Sequence, residues 1–281
     1  MQERAVIWLN DALLPLSEAR ISAADRGLLY GDGFFETLRA EDGRVFFLDE
    51  HLKRLEASAQ AFRFSLPAEV PWEKRLQELL AANGLLRGAA AVKILLTRGE
   101  ADGLGLPAAV SPTLVVYARP YMPPSPGEYA SGWPVVIFPE RRTTFLGRYK
   151  SLNYLFYLAA RQYALDRGVR EALILEADGS VSEGAATSLV LLLNDRLVAP
   201  AAASALPGVT VAVLARALQR RGIILERTEL RLSQVEKAAG LWLANSLMGL
   251  LPVASLEGKA VAQAPETLQM LQECLAQEAR R

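Results

Sequence analysis

The sequence predicts a mixed α/β protein of two domains, and three observations support this prediction. About half of its 281 residues are apolar (51%), which is enough to build sizeable hydrophobic cores. Short apolar runs typical of strands alternate with segments in which apolar residues recur at helical spacing. A cluster of prolines and glycines interrupts this alternation near the middle. We therefore expect a smaller N-terminal α/β domain over 1–119, a linker over 120–133 and a larger C-terminal α/β domain over 134–281.

The first domain is predicted to contain four strands and two helices. Asparagine, aspartate and glycine residues at turn positions separate the strands. Asp49 is in position to cap the first helix, in which Leu52, Leu55, Ala59 and Phe62 recur at helical spacing. The predicted strands are 4–9, 45–48, 92–97 and 113–118, and the second helix, 72–83, ends before Gly84.

The linker and the second domain follow from the same signals. Proline removes an amide donor and fixes φ, so the prolines and glycines of 120–133 disfavour both helix and central strand. Pro265 suits the first turn of a final helix, and Ser233 with Glu236 resembles a capping box. The predicted strands are 135–138, 172–176 with a return at Val181, and 188–193, and the predicted helices are 152–166 and 209–220.

The charge and the rare residues exclude several classes of function. Thirty-one basic and 31 acidic residues balance, which argues against a nucleic-acid or membrane-surface partner recruited by global charge. His51 and Cys274 are the only residues of their types, so catalytic triads and zinc clusters are improbable and no metal is expected. Neither a signal peptide nor an apolar run of membrane-spanning length is recognisable, and we expect a cytoplasmic protein.

One lysine breaks a local rule. Lys150 precedes a predicted helix, and a cation is unfavourable there because the positive end of the helix dipole lies at its N-terminus. Such conflicts concentrate at functional sites. Gly31-Asp32-Gly33 lacks the third glycine of a dinucleotide-binding loop and by itself is more typical of a turn than of a site.

Several motifs in a fixed order identify a family resemblance. They are Asp25-Arg26-Gly27, Gly31-Asp32-Gly33-Phe34-Phe35-Glu36-Thr37, His51-Leu52-Lys53-Arg54-Leu55, Tyr149-Lys150-Ser151-Leu152-Asn153-Tyr154 and Glu183-Gly184. In this order they resemble the class IV aminotransferases, which are fold type IV enzymes that use pyridoxal 5'-phosphate. The resemblance implies the two-domain fold of branched-chain and D-amino-acid aminotransferases.

The resemblance also implies roles for individual residues. Lys150 matches the lysine that binds the cofactor and moves protons, a role that desolvation of its amine would assist. Glu183 matches the carboxylate that faces the pyridine nitrogen, and Arg54 matches the arginine that pairs with the phosphate. The remaining cofactor-binding residues implied by the resemblance are Tyr154 near the phenolic oxygen, Leu206 on the ring face, and Val209, Thr210, Ser246 and Leu247 around the phosphate.

The same resemblance implies a homodimer and a small-molecule amine as substrate. D-amino-acid transaminases bind the substrate carboxylate through a tyrosine, an arginine and a histidine, and the matching positions hold Phe35, Arg98 and Glu100. Phe35 and Arg98 are thus tentative substrate residues, while Glu100 would repel a carboxylate. Whether Arg98 or one of Arg141, Arg142 and Arg148 receives the substrate stays open.

The reaction is predicted from loop residues. The loop 97–107 lacks the methionine usual in branched-chain aminotransferases, whereas Asn245-Ser246-Leu247-Met248-Gly249 is similar to aminodeoxychorismate lyases. The resemblance therefore favours a lyase that converts 4-amino-4-deoxychorismate into 4-aminobenzoate and pyruvate, a step of folate biosynthesis. The alternatives are an aminotransferase of branched-chain or D-amino acids and a non-catalytic protein of the same fold. His51 is expected near the phosphate, outside the proton transfer.

Overall fold

The computed structural model describes residues 5–67, 69–109 and 111–280 and divides into two units. The first unit contains the described residues up to Pro123 together with Tyr149–Asn153. The second contains Pro124–Arg148 and the described residues from Tyr154 onwards. The segment of the candidate lysine is therefore grouped with the N-terminal unit, although the second unit precedes and follows it in the chain.

An antiparallel sheet forms the centre of the first unit. Among the described residues its strand order is β2-β1-β6-β5-β3-β4, and helices α2 and α3 belong to the same unit. The strands are β1 (Val6–Leu9), β2 (Ala12–Pro15), β3 (Gly33–Glu41), β4 (Arg44–Val45), β5 (Ala89–Thr97) and β6 (Thr113–Pro120), and the helices are α1 (Arg26–Tyr30), α2 (Leu48–Ala61) and α3 (Trp72–Ala82).

Strand β3 gives the sheet two chemically different faces. Side chains alternate along a strand, so Phe34, Glu36 and Leu38 lie on one face and Phe35 and Thr37 on the other. Phe34 and Leu38 belong to a buried apolar cluster with residues of α2 and α3. The face of Phe34 is therefore the core face of the first unit.

The first unit departs from prediction near its start and at the beginning of α2, and it contains β2, β3 and α1, which were not predicted. Arg4, the first residue of the predicted strand 4–9, lies outside the described residues. The predicted strand 45–48 ends at Val45, because residues 46–47 form a turn in which Phe47 adopts a left-handed conformation (φ 55°) directly before α2. Asp49 consequently lies in the first helical turn, where its charge favours the helix dipole without capping it.

The second unit is built on a mixed sheet. Its order among the described residues is β12-β11-β10-β13-β14-β7-β8-β9, with β15 paired to β14. The strands are β7 (Trp133–Ile137), β8 (Glu171–Leu175), β9 (Val181–Gly184), β10 (Ser188–Leu193), β11 (Arg196–Pro200), β12 (Leu225–Thr228), β13 (Gly240–Asn245), β14 (Gly249–Leu256) and β15 (Lys259–Ala260). The helices are α4 (Pro126–Ser131), α5 (Leu155–Leu165), α6 (Val209–Gln219), α7 (Leu232–Val235) and α8 (Pro265–Arg280).

Local capping explains where the second unit departs from prediction. The expected linker 120–133 contains helix α4, because Ser125 and Glu128 form a capping box and Pro126 occupies the first turn. The predicted capping box at Ser233 is wrong. Helix α7 is instead capped at Arg231, whose amide donates to Gln234 Oε1 at 2.8 Å. None of the helices in the described ranges is both long and apolar enough to span a bilayer.

Candidate active site

Lys150 lies in a short segment that pairs with the beginning of β3. The Phe35 amide donates to the Lys150 carbonyl at 2.8 Å, and the Leu152 amide donates to the Gly33 carbonyl at 2.9 Å. Ser151 forms an antiparallel bridge with Phe34 between these two bonds. The predicted helix 152–166 begins only at Leu155 because residues 150–152 are engaged in this pairing.

Two glycines of the Gly-Asp-Gly motif make this arrangement possible. Gly31 ends helix α1 in the left-handed conformation (φ 65°), which favours glycine. A Cβ atom at Gly33 would lie 2.5 Å from the Leu96 carbonyl oxygen, so no side chain fits there without a shift of backbone. The motif is thus a turn, as its composition indicates. It also positions the start of β3, which pairs with the segment that contains Lys150.

The amine of Lys150 lies against an aromatic ring. Its Nζ atom is 4.6 Å from the centroid of the Phe35 ring, and the Phe35 side chain is buried. A cation over a ring face is attracted by the ring quadrupole. Phe35, a tentative substrate residue in the sequence, therefore contacts the candidate catalytic lysine itself.

Arg54 and His51 of α2 meet on a single buried carboxylate. Arg54 donates from Nε and Nη2 to the two oxygens of Glu36 at 2.7 and 2.6 Å, and His51 Nδ1 lies 2.6 Å from Glu36 Oε2. The Glu36 side chain is 1% exposed and that of His51 is fully buried. His51 and Arg54 therefore share one carboxylate, and the sequence assigned no role to Glu36. The expected position of His51 near the phosphate stays a prediction.

Electrostatics fix the charge states of this cluster. Burial would raise the pKa of Glu36, but the Arg54 guanidinium and His51 outweigh it and bring that pKa to about 2. Burial lowers the pKa of His51 further than the hydrogen bond to Glu36 raises it. A carboxylate only accepts hydrogen bonds, so we assign the Nδ1 proton to the neutral His51 ring, which donates to Glu36.

Arg98 lies in the interior of the first unit, where protein groups accept its hydrogen bonds. It donates to both oxygens of Asp32, to the Pro107 carbonyl at 2.8 Å and to the Phe62 carbonyl at 2.7 Å. Its side chain is 0% exposed. Arg26 donates to the same Asp32 carboxylate at 2.9 Å. The tentative role of Arg98 in binding a substrate carboxylate is not supported, because these donors hold a loop.

Glu183 of β9 lies in a buried network of the second unit. Arg142 Nη1 donates to Glu183 Oε1, the Tyr157 hydroxyl donates to the same oxygen at 3.2 Å, and the Leu206 amide donates to Oε2 at 3.2 Å. Arg142 also pairs with Glu176. The network therefore brings together two residues predicted to bind the cofactor ring, Glu183 and Leu206.

Burial and Arg142 act in opposite directions on Glu183. Burial raises the pKa of the Glu183 carboxyl, and the charge and hydrogen bond of Arg142 lower it. Arg142 was one of several arginines considered for a substrate carboxylate, and the structure engages it with carboxylates of the protein. Tyr157 was missed because its partners lie 15 and 26 residues away in the chain, beyond any local pattern.

Tyr154 lies at the edge of this network. Its hydroxyl donates to the Ala185 carbonyl at 3.3 Å, and its ring stacks on that of Tyr157 with centroids 4.8 Å apart. Tyr157 in turn bonds Glu183, so Tyr154 joins the set of residues around Glu183. This position agrees with a role beside the cofactor ring.

The N-terminus of α6 fits a phosphate group. Gly208 caps the helix without any side-chain hydrogen bond, and Val209 and Thr210 form its first turn. Thr210 is buried, and its Oγ1 atom has no hydrogen-bond partner within the described ranges. A buried hydroxyl without a partner is costly, whereas a helix N-terminus with open amides attracts anions. This arrangement fits the phosphate of the expected cofactor.

The second predicted phosphate turn is held by its own asparagine. Asn245 Oδ1 accepts from the Leu247 amide at 3.0 Å and from the Met248 amide at 2.9 Å. The Asn245 side-chain amide donates to the Ala186 carbonyl at 3.2 Å, which ties the turn to the residues that follow β9. Ser246 and Leu247 therefore lie in a turn of fixed shape, as a phosphate-binding turn requires.

Comparisons with known proteins agree with these motifs. The sequence pattern of the amino-transferase class IV family matches residues 33–256. A putative branched-chain-amino-acid aminotransferase of Methanocaldococcus jannaschii is 34% identical over 91% of this chain and 89% of its own. The aminodeoxychorismate lyase of Bacillus subtilis is 27% identical over 95% and 93%. The chain spans about half the length (47%) of a related branched-chain-amino-acid aminotransferase-like protein of Arabidopsis thaliana.

A solved structure shows the same fold. A hypothetical aminotransferase from Mycobacterium tuberculosis in its PLP-bound form has a TM-score of 0.84 and 22% identity, covering 98% of this chain and 99% of the other. The predicted mixed α/β fold of class IV aminotransferases is confirmed, and pyridoxal 5'-phosphate is confirmed as the cofactor of the family. The motif order, the fold and the matched pattern together establish that the chain belongs to the amino-transferase class IV family.

Proposed function

We propose that this protein is a pyridoxal 5'-phosphate-dependent 4-amino-4-deoxychorismate lyase. When bound, the cofactor withdraws electrons from the carbon that carries the substrate's amine. Lys150 takes the proton from that carbon, the bond between the neighbouring carbon and the enolpyruvyl oxygen breaks, and the leaving group accepts a proton to become pyruvate. The remaining ring is 4-aminobenzoate, so no amino acceptor is consumed.

Each candidate residue has a defined task in this proposal. Glu183 holds a proton at the pyridine nitrogen, and Arg142 keeps the Glu183 carboxylate oriented toward it. Thr210, the first amides of α6 and the turn of Ser246 and Leu247 bind the phosphate. The role of Arg54 toward the phosphate rests on the family resemblance alone. Leu206 and Tyr154 lie beside Glu183 and shape the place of the ring.

The position of Arg98 argues against one alternative, the D-amino-acid aminotransferase. In a D-amino-acid transaminase the matching arginine binds the substrate's carboxylate, but here Asp32 and two backbone carbonyls occupy its donors. Without that carboxylate site the protein is poorly suited to simple D-amino acids. The sequence of the Asn245–Gly249 turn is similar to that of aminodeoxychorismate lyases, which supports the lyase reaction.

The test omits every keto acid. The purified protein with pyridoxal 5'-phosphate and 4-amino-4-deoxychorismate is expected to release pyruvate and 4-aminobenzoate in equal amounts. Lys150→Ala serves as the control and is expected to release neither. If the wild-type protein releases no pyruvate, the lyase proposal is wrong.

An aminotransferase is the second candidate, because the 34% identical relative from Methanocaldococcus jannaschii is described as a putative branched-chain-amino-acid aminotransferase. Amino transfer from a branched-chain amino acid to a keto acid, in the absence of lyase activity, would establish it. A protein that neither turns yellow nor takes up added cofactor would instead favour the non-catalytic alternative.

We also propose that two copies form a homodimer. Exposed apolar side chains on α1 support it: Leu28 is 71% and Leu29 is 53% exposed. On α5, Leu155 is 80% exposed. Surfaces of this kind favour an interface. Light scattering on the purified protein is expected to give twice the chain mass of 30.6 kDa, and a monomer at micromolar concentration would contradict the proposal.

A further inference from the structure

Three cationic or hydroxyl-bearing side chains lie together on the outer face of the first unit's sheet. Lys93 of β5 is directly opposite Tyr117 of β6, and Arg119 follows two residues along β6 on the same face. This face is the one that Phe35 occupies, because Phe35 and Thr37 alternate with the core residues of β3 and Thr37 pairs with Lys93.

The polar ends of these side chains lack hydrogen-bond and ion-pair partners among the described residues. In the part of the chain that the structure describes, the Lys93 amine, the Tyr117 hydroxyl and the Arg119 guanidinium make no hydrogen bond or ion pair. Lys93 and Tyr117 are both half-buried. The half-buried Lys93 ammonium has the exposed Arg119 guanidinium nearby and no counter-ion, which is unfavourable, so its place on this face indicates an anion that the protein itself does not supply.

The charge states are consistent with an anion site. Burial, together with the charge of Arg119, lowers the pKa of Lys93, and a bound anion would reverse this effect. Burial raises the pKa of Tyr117 despite Arg119, so its hydroxyl stays protonated and can donate.

The neighbouring groups indicate what carries the anion. The Lys93 amine lies 4.4 Å from the centroid of the Phe35 ring, and the Lys150 amine lies 4.6 Å from the same centroid. An anion on Lys93 is therefore close to the candidate catalytic amine. The Phe35 and Tyr117 rings offer flat apolar surface beside the charges, which suits a planar unsaturated ring more than a branched aliphatic chain.

We propose that Lys93, Tyr117 and Arg119 form a binding site for the ring carboxylate of the substrate. The site selects amines whose carboxylate is attached to a flat six-membered ring. This proposal rests on the proposed function only in its choice of substrate, and it names specificity residues that the motifs of the family did not indicate.

Binding of two isosteric probes tests the site. Calorimetry measures the affinity of the purified protein, loaded with pyridoxal 5'-phosphate, for 4-aminobenzoate and for the uncharged 4-aminobenzamide. Lys93→Gln is expected to weaken 4-aminobenzoate binding by about 10-fold or more, because a charge-assisted hydrogen bond is lost, and to leave 4-aminobenzamide unchanged. Arg119 is exposed, so Arg119→Gln does not endanger folding. This variant is expected to weaken the binding of 4-aminobenzoate and to leave the binding of 4-aminobenzamide unchanged. Lys74→Gln, 75% exposed on α3, is the matched control without effect.

The results separate this site from the lyase reaction. Unchanged 4-aminobenzoate affinity in both Lys93→Gln and Arg119→Gln, or equal wild-type affinity for the two probes, overturns the site. Charge-dependent binding that requires Lys93, in a wild-type protein that releases no pyruvate, supports the site and contradicts the lyase. If the wild-type protein releases pyruvate but Lys93→Gln and Arg119→Gln bind 4-aminobenzoate as tightly as wild type, the lyase is supported and the site is contradicted.

Discussion

Buried carboxylates in both units are matched to arginines. Glu36 is held by Arg54, and Glu183 by Arg142. Removing one partner of such a pair leaves a buried charge without compensation, which typically costs about 3–5 kcal/mol. The arginines that a sequence comparison assigns to ligands are thus also structural, and substituting them mixes the two effects. Neutral hydroxyl groups give cleaner tests, because their removal leaves no unpaired charge.

Glu36 is expected to make stability depend on acid pH. Its pKa falls from 4.5 to about 2 on folding, so the carboxylate contributes stability that is fully present above pH 4.5 and is lost as the pH falls toward 2. The contribution is up to roughly 3 kcal/mol. Glu36→Gln is expected to flatten the dependence of the free energy of unfolding on pH in this window, measured by urea denaturation.

A matched control is Glu78→Gln on α3, whose carboxylate is 40% exposed and lies 3.9 Å from Lys74. Its pH profile is expected to follow that of the wild type. If Glu36→Gln and wild type lose stability in parallel between pH 4.5 and 2, the interpretation of the Glu36 cluster is wrong.

Thr210→Val is expected to change folding and cofactor binding differently. The hydroxyl of Thr210 has no protein partner in the described ranges, so its removal leaves the Tm of the cofactor-free protein unchanged or higher. Affinity for pyridoxal 5'-phosphate is expected to fall by about 10-fold, since one hydrogen bond to a charged group is lost. Differential scanning fluorimetry and absorbance titration measure the two effects.

Thr113→Val provides the opposite pattern. Its hydroxyl donates to Asp25 at 2.7 Å, so this variant is expected to lose about 1 kcal/mol of stability and to bind the cofactor normally. A Thr210→Val protein that binds the cofactor as tightly as wild type would remove Thr210 from the phosphate site.

Individual roles were only partly predictable at this scale. The sequence places Arg98 in the predicted loop 97–107. The burial of the Arg98 side chain depends on Asp32, which lies 66 residues earlier in the chain. Arg142 likewise meets Glu183 across 41 residues. No local pattern encodes such pairs, because they form only when distant strands are brought together. The open Thr210 hydroxyl, in contrast, agrees with the residue that the family motifs indicate.

Strand β3 connects several functions in one element. One face supplies Phe34 to the core and Glu36 to the Arg54 cluster, and the other face supplies Phe35 to the candidate site. The strand was not predicted, since its start in Gly31-Asp32-Gly33 is typical of a turn. The start of α2 was displaced for a similar reason, because the left-handed conformation of Phe47 is not favoured by any sequence rule.

Gly33→Ala is expected to disturb this element at its start. The added methyl group clashes with the Leu96 carbonyl oxygen of β5. To remove this clash, β3 must move away from β5 or from residues 150–152. We expect a loss of stability of about 1–3 kcal/mol and weaker cofactor binding, measured by denaturation and by absorbance titration.

Gly127→Ala is the control for Gly33→Ala. Gly127 lies in α4, and an added Cβ would have its nearest contact at ordinary distance, 3.9 Å from Ser125 Oγ. Alanine in a helix is more favourable than glycine, so this variant is expected to equal or exceed the wild type in stability. A Gly33→Ala protein as stable as Gly127→Ala would show that the close approach at Leu96 is unimportant.

At the scale of the whole molecule, cofactor binding and stability are linked. A ligand that binds only the folded state stabilises it by about 2.7 kcal/mol when present at 100 times its Kd. Pyridoxal 5'-phosphate is therefore expected to raise the Tm of the wild-type protein. Pyridoxal, which lacks the phosphate that Thr210 and α6 would bind, is expected to raise it less. Equal shifts with both compounds would contradict the assignment of the phosphate site.

The placement of Tyr149–Asn153 in the first unit has a consequence for how this protein can change over time. The five residues are anchored at both ends by chain that belongs to the second unit, and their alternation is set by pairing with Gly33 and Phe35. An insertion or deletion of one residue before Lys150 would turn its side chain to the opposite side of the pairing. Neighbouring side chains can therefore be substituted during evolution without turning Lys150 away. A change in the length of this segment, in contrast, would move the Lys150 amine away from the Phe35 ring in a single step.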